Sequence, residues 1–199
     1  MADITLPPMP RSASYRMRAV YAASDPARPA AGGAPRPMDR PGDYWAMEID
    51  TGALGGAHGL EFMANLVRGR GRIVALRLPT FGVDTGAVGL PVVDGEDVAG
   101  EMLPVRGLTA NYPVRPGFLS ILRAAGGRST HLTSGEVIAN ADGEATLTLW
   151  PMLWKPVEDG DVVEIAEPWI EGRLVEGGDL ETGLLPTLTP GAWTIEEAD

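Results

Sequence analysis

The sequence predicts a mainly β protein with one short helix, and three observations lead there. Glycine (26) and proline (18) are abundant in the 199 residues, too abundant for a helical chain, yet they alternate with apolar runs that a disordered chain would not carry. Only one stretch, Ala57 to Arg68, carries an apolar pattern of helical period. From Leu90 onward, short β-rich runs recur every 8–12 residues between Gly, Asp-Gly and Pro turns, the texture of a small antiparallel barrel or sandwich.

In chain order, residues 1–14 read as an extended lead-in broken by Pro7, Pro8 and Pro10. In Ser14–Tyr21, the residues Tyr15, Met17, Ala19 and Tyr21 alternate with polar or small neighbours, which gives a half-buried strand. Residues 24–42 hold five prolines and three glycines; they read as a long arm of a hairpin, closed by a second strand at Tyr44–Ile49. The helix follows, with Leu60, Met63, Ala64 and Val67 at helical spacing and Phe62 and Leu66 widening the stripe. Gly69 and Gly71 end it, and Ile73–Leu78 makes a strand stopped by Pro79. One short helix cannot cover both faces of a parallel sheet, so a doubly wound fold is excluded.

Beyond Leu90 the expected strands are Met102–Val105, Gly117–Arg123, Arg128–Leu132, Gly135–Ala139, Ala145–Leu149 and Asp161–Ile165. The turns around Gly126-Gly127, Asp142-Gly143 and Asp159-Gly160 suit hairpins, the Asp-Gly pairs by tolerating the positive φ of a type I′ turn. Residues 176–191 are acidic and Gly/Pro-rich. Trp193 and Ile195, on one face of a final strand, are expected to return beside Trp45–Ile49.

The formal net charge of -11 is regional. Residues 1–155 hold 15 basic and 15 acidic side chains, whereas residues 156–199 hold Arg173 against twelve acids. Without a net basic footprint, nucleic-acid specificity is disfavoured. One basic cluster stands out, Arg68, Arg70, Arg72 and Arg77. The opening MADITLPPMP lacks the features of a secretory signal and no apolar stretch nears the length of a membrane span; the expectation is a soluble, unprocessed chain with no membrane partner.

Chemistry is narrowed by composition. The absence of cysteine excludes thiolate metal sites, disulfides and a cysteine nucleophile. His58 and His131 lack the spacing of a helical metal pair. The carboxylate pairs Glu164/Glu167 and Glu196/Glu197 invite a glycosidase reading, but among 27 acidic residues some pair is close by chance, and adjacent strand residues face opposite ways. The loops Asp94–Asp97 and Asp159–Asp161 lack the ligand spacing of a calcium loop. His131 lies between Ser129 and Ser134 without a nucleophile elbow, and Gly69–Arg72 reads as a helix end, not a dinucleotide loop. No catalytic residue, metal or cofactor is expected. Trp150, Trp154 and Trp169 remain open between core, a protein interface and a sugar-stacking platform.

The succession YWAMEID, FMANLVRGRGRIVALRLP, GLPVVDGEDVAGEMLPVRGL, VRPGFLSI, ANADGEATLTLWPMLWKPVEDGDVVEIAEPWIEGRL and WTIEEAD resembles a family of tail structural proteins of tailed bacteriophages and prophages, of distal-tail or minor-tail type. The resemblance covers most of residues 40–199; its most specific blocks are Gly143–Pro156 and Asp159–Arg173, while the Pro-rich arm and Glu176–Pro190 depart from it. It implies a split β-domain with an inserted small β-barrel: residues 1–90 plus 180–199, with the arm at 24–42, as the ring-forming part, and 91–179 as the accessory barrel. It further implies a non-enzymatic virion component, assembled in the host cytoplasm as a hexameric homo-oligomeric ring between the tail tube and the hub or tip. Charge segregation suggests that Arg68, Arg70 and Arg72 meet Glu196 and Glu197 of a neighbouring subunit. The competing expectation is a carbohydrate-binding module that presents Trp150, Trp154 or Trp169 to host-surface glycans.

Overall fold

The computed structural model describes residues 2–10, 13–21, 42–80, 84–175, 180–182 and 188–197. Apart from Gly42, the expected arm at 24–42 lies outside these residues, as does most of 176–190.

The first strands are β1 (Ile4–Thr5), β2 (Ser14–Val20) and β3 (Tyr44–Asp50), followed by helix α1 (Gly56–Gly69) and β4 (Ile73–Arg77). Next come β5 (Gly89–Val93), β6 (Val98–Leu108), β7 (Pro113–Val114), β8 (Gly117–Leu122), β9 (Arg128–Thr133), β10 (Val137–Ile138), β11 (Ala145–Val157) and β12 (Val162–Glu164). The chain ends with β13 (Trp169–Val175), β14 (Leu180–Thr182), β15 (Leu188–Pro190) and β16 (Trp193–Glu197). The fold is therefore mainly β, with one helix among the described residues.

A six-stranded sheet has the order β1-β4-β13-β16-β3-β2, and β11-β6-β5-β12-β8-β9 close into an antiparallel barrel. The barrel lies between β4 and β13 in sequence, so the chain leaves the sheet, completes the barrel, and returns to insert β13 between β4 and β16. Alternation explains the sheet. Trp45, Met47 and Ile49 share one buried face of β3; Met47 is opposite Met17 on one side and Ile195 on the other. Trp193 sits opposite Ile49, the return expected from the sequence.

Strand β13 corrects the expected limits of the barrel segment. It lies within 91–179 but pairs with β4 and β16 along its length, because Ile170 and Leu174 belong to the apolar core of the sheet together with Leu76 and Ile195. Barrel pairing begins and ends inside Gly89–Val157 and Val162–Glu164.

The helix forms where expected but presents a different face. Gly59, Phe62, Met63, Leu66 and Gly69 are buried, whereas Leu60 and Val67 are 56% and 53% exposed. The larger Phe62 and Leu66 win the core, and Gly69 lets the helix end approach the sheet: a Cβ there would fall 2.7 Å from Val74 Cγ1.

Inside the barrel, Val93, Leu103, Val105, Ile121, Leu147 and Val163 are buried together. Strand β11 is longer than expected and runs through Pro151 and Pro156. Its pairing with β6 shifts register between Thr148 and Leu153 and again before Val157, and such irregularities accommodate residues without an N–H. The expected strand Gly135–Ala139 shrinks to β10, which pairs with β7 outside the barrel. The Asp-Gly turns are not type I′. Gly143 and Gly160 take positive φ (78° and 84°) while, among the described residues, the only non-glycines to do so are Asp97 and Asn111. Asp161 N donates to Glu158 O at 3.1 Å, a turn with its left-handed residue third, as in type II.

Candidate functional site

The barrel and sheet meet through an apolar contact bordered by a polar network. Phe118, Leu132 and Trp150, from three barrel strands, pack on the core of the sheet. Trp45 meets the ring of Phe118 edge-on at 5.0 Å and 77°, and that of Trp150 at 4.8 Å and 82°, the geometry that aromatic quadrupoles favour.

Arg128 organises the polar side. Its Nε donates to Glu164 Oε2 at 3.0 Å and its Nη2 to Glu164 Oε1 at 3.2 Å, a two-pronged pair. Nη1 donates to Glu171 Oε2 at 3.4 Å, and the Glu171 side chain is only 3% exposed, where an unpaired carboxylate would be costly. Ser120 Oγ donates to Glu164 at 2.6 Å and accepts from Trp169 N at 3.0 Å. Thr130 Oγ1 donates to the Trp169 carbonyl at 3.1 Å. Glu197 accepts from Trp45 N at 3.1 Å and also from Thr130 N. Strands β8, β9 and β12 of the barrel are thus tied to β3, β13 and β16 of the sheet.

This geometry gives each expected site residue a place. Trp150 is at the apolar junction. Trp169 lies under the Arg128 guanidinium, 5.3 Å from ring centroid to Cζ. Trp154 is 41% exposed, with Lys155 Nζ 4.7 Å from its ring centroid. The three tryptophans therefore do not form one platform. Glu164 and Glu167 are each bound by a different arginine, Glu167 by Arg77 at 2.6 Å. Glu197 is engaged within the chain, and Glu196 lies opposite Arg173 in the pairing of β13 and β16. Arg68, Arg70 and Arg72 are exposed at the end of α1.

No protein-family model and no curated protein matches the chain.

The two acidic loops are brought together by an arginine. Arg106 Nη1 donates to Asp94 Oδ1 at 2.9 Å and Nη2 to Asp159 Oδ2 at 3.1 Å. The Arg106 hydrogen bond holds the Asp159 carboxyl below the usual carboxylate range, helped by the Gly95 amide. Among the described residues, no group of three or more His, Asp or Glu side chains could hold a metal ion. His131 is buried, with Nδ1 2.7 Å from Pro151 O and Nε2 2.9 Å from Ser129 Oγ. A pocket of about 540 Å³ opens beside the junction, with Tyr112, Arg115, Phe118, Leu132 and Pro168 among its walls.

Sequence reasoning did not single out Arg128, Ser120 or Thr130. Each is an ordinary strand residue, and only the docking of barrel on sheet makes them partners. The available signal was Glu171, a carboxylate between Ile170 and Leu174 in a strand, since an acid at such a position calls for a cation.

Proposed function

We propose that the chain is a non-enzymatic structural component of a phage-type virion tail, a distal-tail or minor-tail protein that assembles with copies of itself into a ring between tube and tip. The observation that carries this reading is the split sheet: a complete closed barrel inserted between β4 and β13, the architecture that the family resemblance implies. A rigid sheet with a barrel fixed to it by the Arg128 and Glu197 networks suits a scaffold that presents two surfaces in constant orientation. The outer edge of β2, seven residues long, faces no described strand, and such an edge is commonly covered in an assembly.

The test is assembly of the purified chain, followed by size-exclusion chromatography with light scattering and by negative-stain images. Closed rings of one stoichiometry are expected. A chain that remains monomeric at every accessible concentration would overturn the reading.

A second reading, a carbohydrate-binding module, draws on Trp154. Its exposed ring adjoins a small cleft lined by Asp43, Ser129, Thr130 and His131, an aromatic surface beside hydrogen-bonding groups. Glycan-array binding lost in Trp154→Ala would favour this reading, and a ring without sugar affinity would reject it.

A further inference from the structure

The cavity of about 540 Å³ beside the junction takes no part in the ring reading, and its walls specify a ligand. It lies where barrel and sheet come together. Phe118 and Leu132, cross-strand partners on β8 and β9, pack on the core of the sheet and also line the cavity, and both remain half-buried. A concave, mainly apolar space of this size at such a boundary suits a small molecule.

Polar groups in the walls are few and mostly spent. Pro79, Pro113, Pro116 and Pro168 carry no N–H. The Gly117 amide donates to Thr133 Oγ1 at 3.0 Å, the Gly86 amide to Asp84 Oδ1 at 2.9 Å, and the Tyr112 hydroxyl to the Thr85 carbonyl at 2.6 Å. Burial pushes the Tyr112 phenol above its ordinary value, so it stays a neutral donor. Arg115 is different. Its guanidinium stands in the same wall without a hydrogen-bond or ion-pair partner among the described residues, and it is a permanent cation with several donors. The acid of the wall, Asp84, spends an oxygen on the Gly86 amide of its own loop.

We propose that this cavity binds a small apolar carboxylate, its body against Phe118, Leu132 and the four prolines and its carboxylate on the Arg115 guanidinium. Charge selects the ligand class. A neutral apolar molecule would leave the guanidinium without a partner, and an amine would meet it as a like charge. A carboxylate matches its planar fork with two parallel N–H···O bonds, while the proline rings and the Phe118 and Leu132 side chains take the apolar part out of water. The inference does not involve assembly, so it stands or falls apart from the ring reading.

Isothermal titration calorimetry of the full-length chain tests it with biphenylbutyrate, an aromatic carboxylate, beside the corresponding alcohol and amine. Binding of the carboxylate at one site is expected, with the alcohol about tenfold or more weaker. Arg115→Met should bring the carboxylate down to the affinity of the alcohol and leave the alcohol unchanged; Arg115 is exposed, and circular dichroism checks that the variant folds. Nuclear Overhauser contacts from the bound rings to Phe118 and Leu132 should place the ligand in the cavity. The proposal is overturned if the unsubstituted chain does not bind, if carboxylate, alcohol and amine bind alike, if Arg115→Met leaves carboxylate binding unchanged, or if the contacts fall elsewhere. Thr80 and Asp84 flank residues 81–83, which lie outside the described ones. Binding that appears only in Phe81→Ala would mean that the chain's own side chain fills the cavity, and the proposal would fall with it.

Discussion

The indole of Trp45, on the sheet, meets the indole of Trp150, on the barrel, edge-on at 4.8 Å. Residues 105 positions apart in the chain thereby fix how the barrel sits on the sheet. Trp150 also lies 5.6 Å from the ring of Tyr21, so its removal would leave a gap among aromatic neighbours. Trp150→Ala should destabilise the protein by about 2–4 kcal/mol, lowering the melting temperature by roughly 5–12 °C for a chain of this size. Thermal unfolding followed by near-ultraviolet circular dichroism measures it; an unchanged melting temperature would show that the aromatic contact contributes nothing.

Arg128 neutralises two carboxylates, Glu164 and the buried Glu171. Arg128→Met keeps much of the aliphatic packing but removes the ion pairs to Glu164 and to the buried Glu171, and a loss of about 3–5 kcal/mol is expected. Combining it with Glu171→Gln should recover part of that loss, because the buried carboxylate that faced the guanidinium is then neutral. Urea unfolding of the two single variants and the double variant checks the coupling; strict additivity would mean that the pair does not interact.

Two turn glycines separate strain from steric overlap. Gly143 has φ 78° and a Cβ there would lie 2.1 Å from the Leu108 carbonyl oxygen; Gly160 has φ 84° with nothing within 4 Å of the added carbon. Gly160→Ala should cost about 1–2 kcal/mol, the left-handed backbone penalty alone. Gly143→Ala should cost clearly more, because the backbone at Leu108 must also shift. Equal midpoints in chemical denaturation would contradict the distinction.

The Arg106–Asp159 pair sets an acid-side dependence. The folded carboxyl titrates below its unfolded value of about 3.9, depressed first by the Arg106 hydrogen bond. Its stabilising contribution is therefore present above that unfolded value and is lost as pH falls through the lower folded one. Carboxyl-carbon NMR should find the Asp159 midpoint below about 3.9, and Arg106→Gln should raise it. A midpoint that ignores the substitution would remove Arg106 as the cause.

Much of the fold was legible because its signals are local. Alternation in Tyr15–Ala19, Trp45–Ile49 and Trp193–Ile195 marks three strands that lie side by side, and the glycines at 126–127, 143 and 160 mark turns. Strand β13 was missed because a glycine and an acid interrupt its apolar residues, and β11 was read short because two prolines conventionally end a strand. Of the expected site, the exposure of Arg68, Arg70 and Arg72 was legible, whereas the different surroundings of Trp150, Trp154 and Trp169 were not. The in-chain engagement of Glu197 was not, since its partners Trp45 and Thr130 are 152 and 67 residues away.

By itself the sequence determined the helix, the hairpin turns and most of the strands, because side-chain periodicity and turn chemistry are properties of neighbouring residues. Only the tertiary structure decided which face of α1 is buried, since Phe62/Leu66 and Leu60/Val67 are both apolar stripes and packing against Val74 and Leu174 selects the first. It also decided how the acidic last quarter is used, because charges act through space: among the described residues Asp159, Asp161, Glu164, Glu167, Glu171 and Glu197 bind arginines or amides of the same chain.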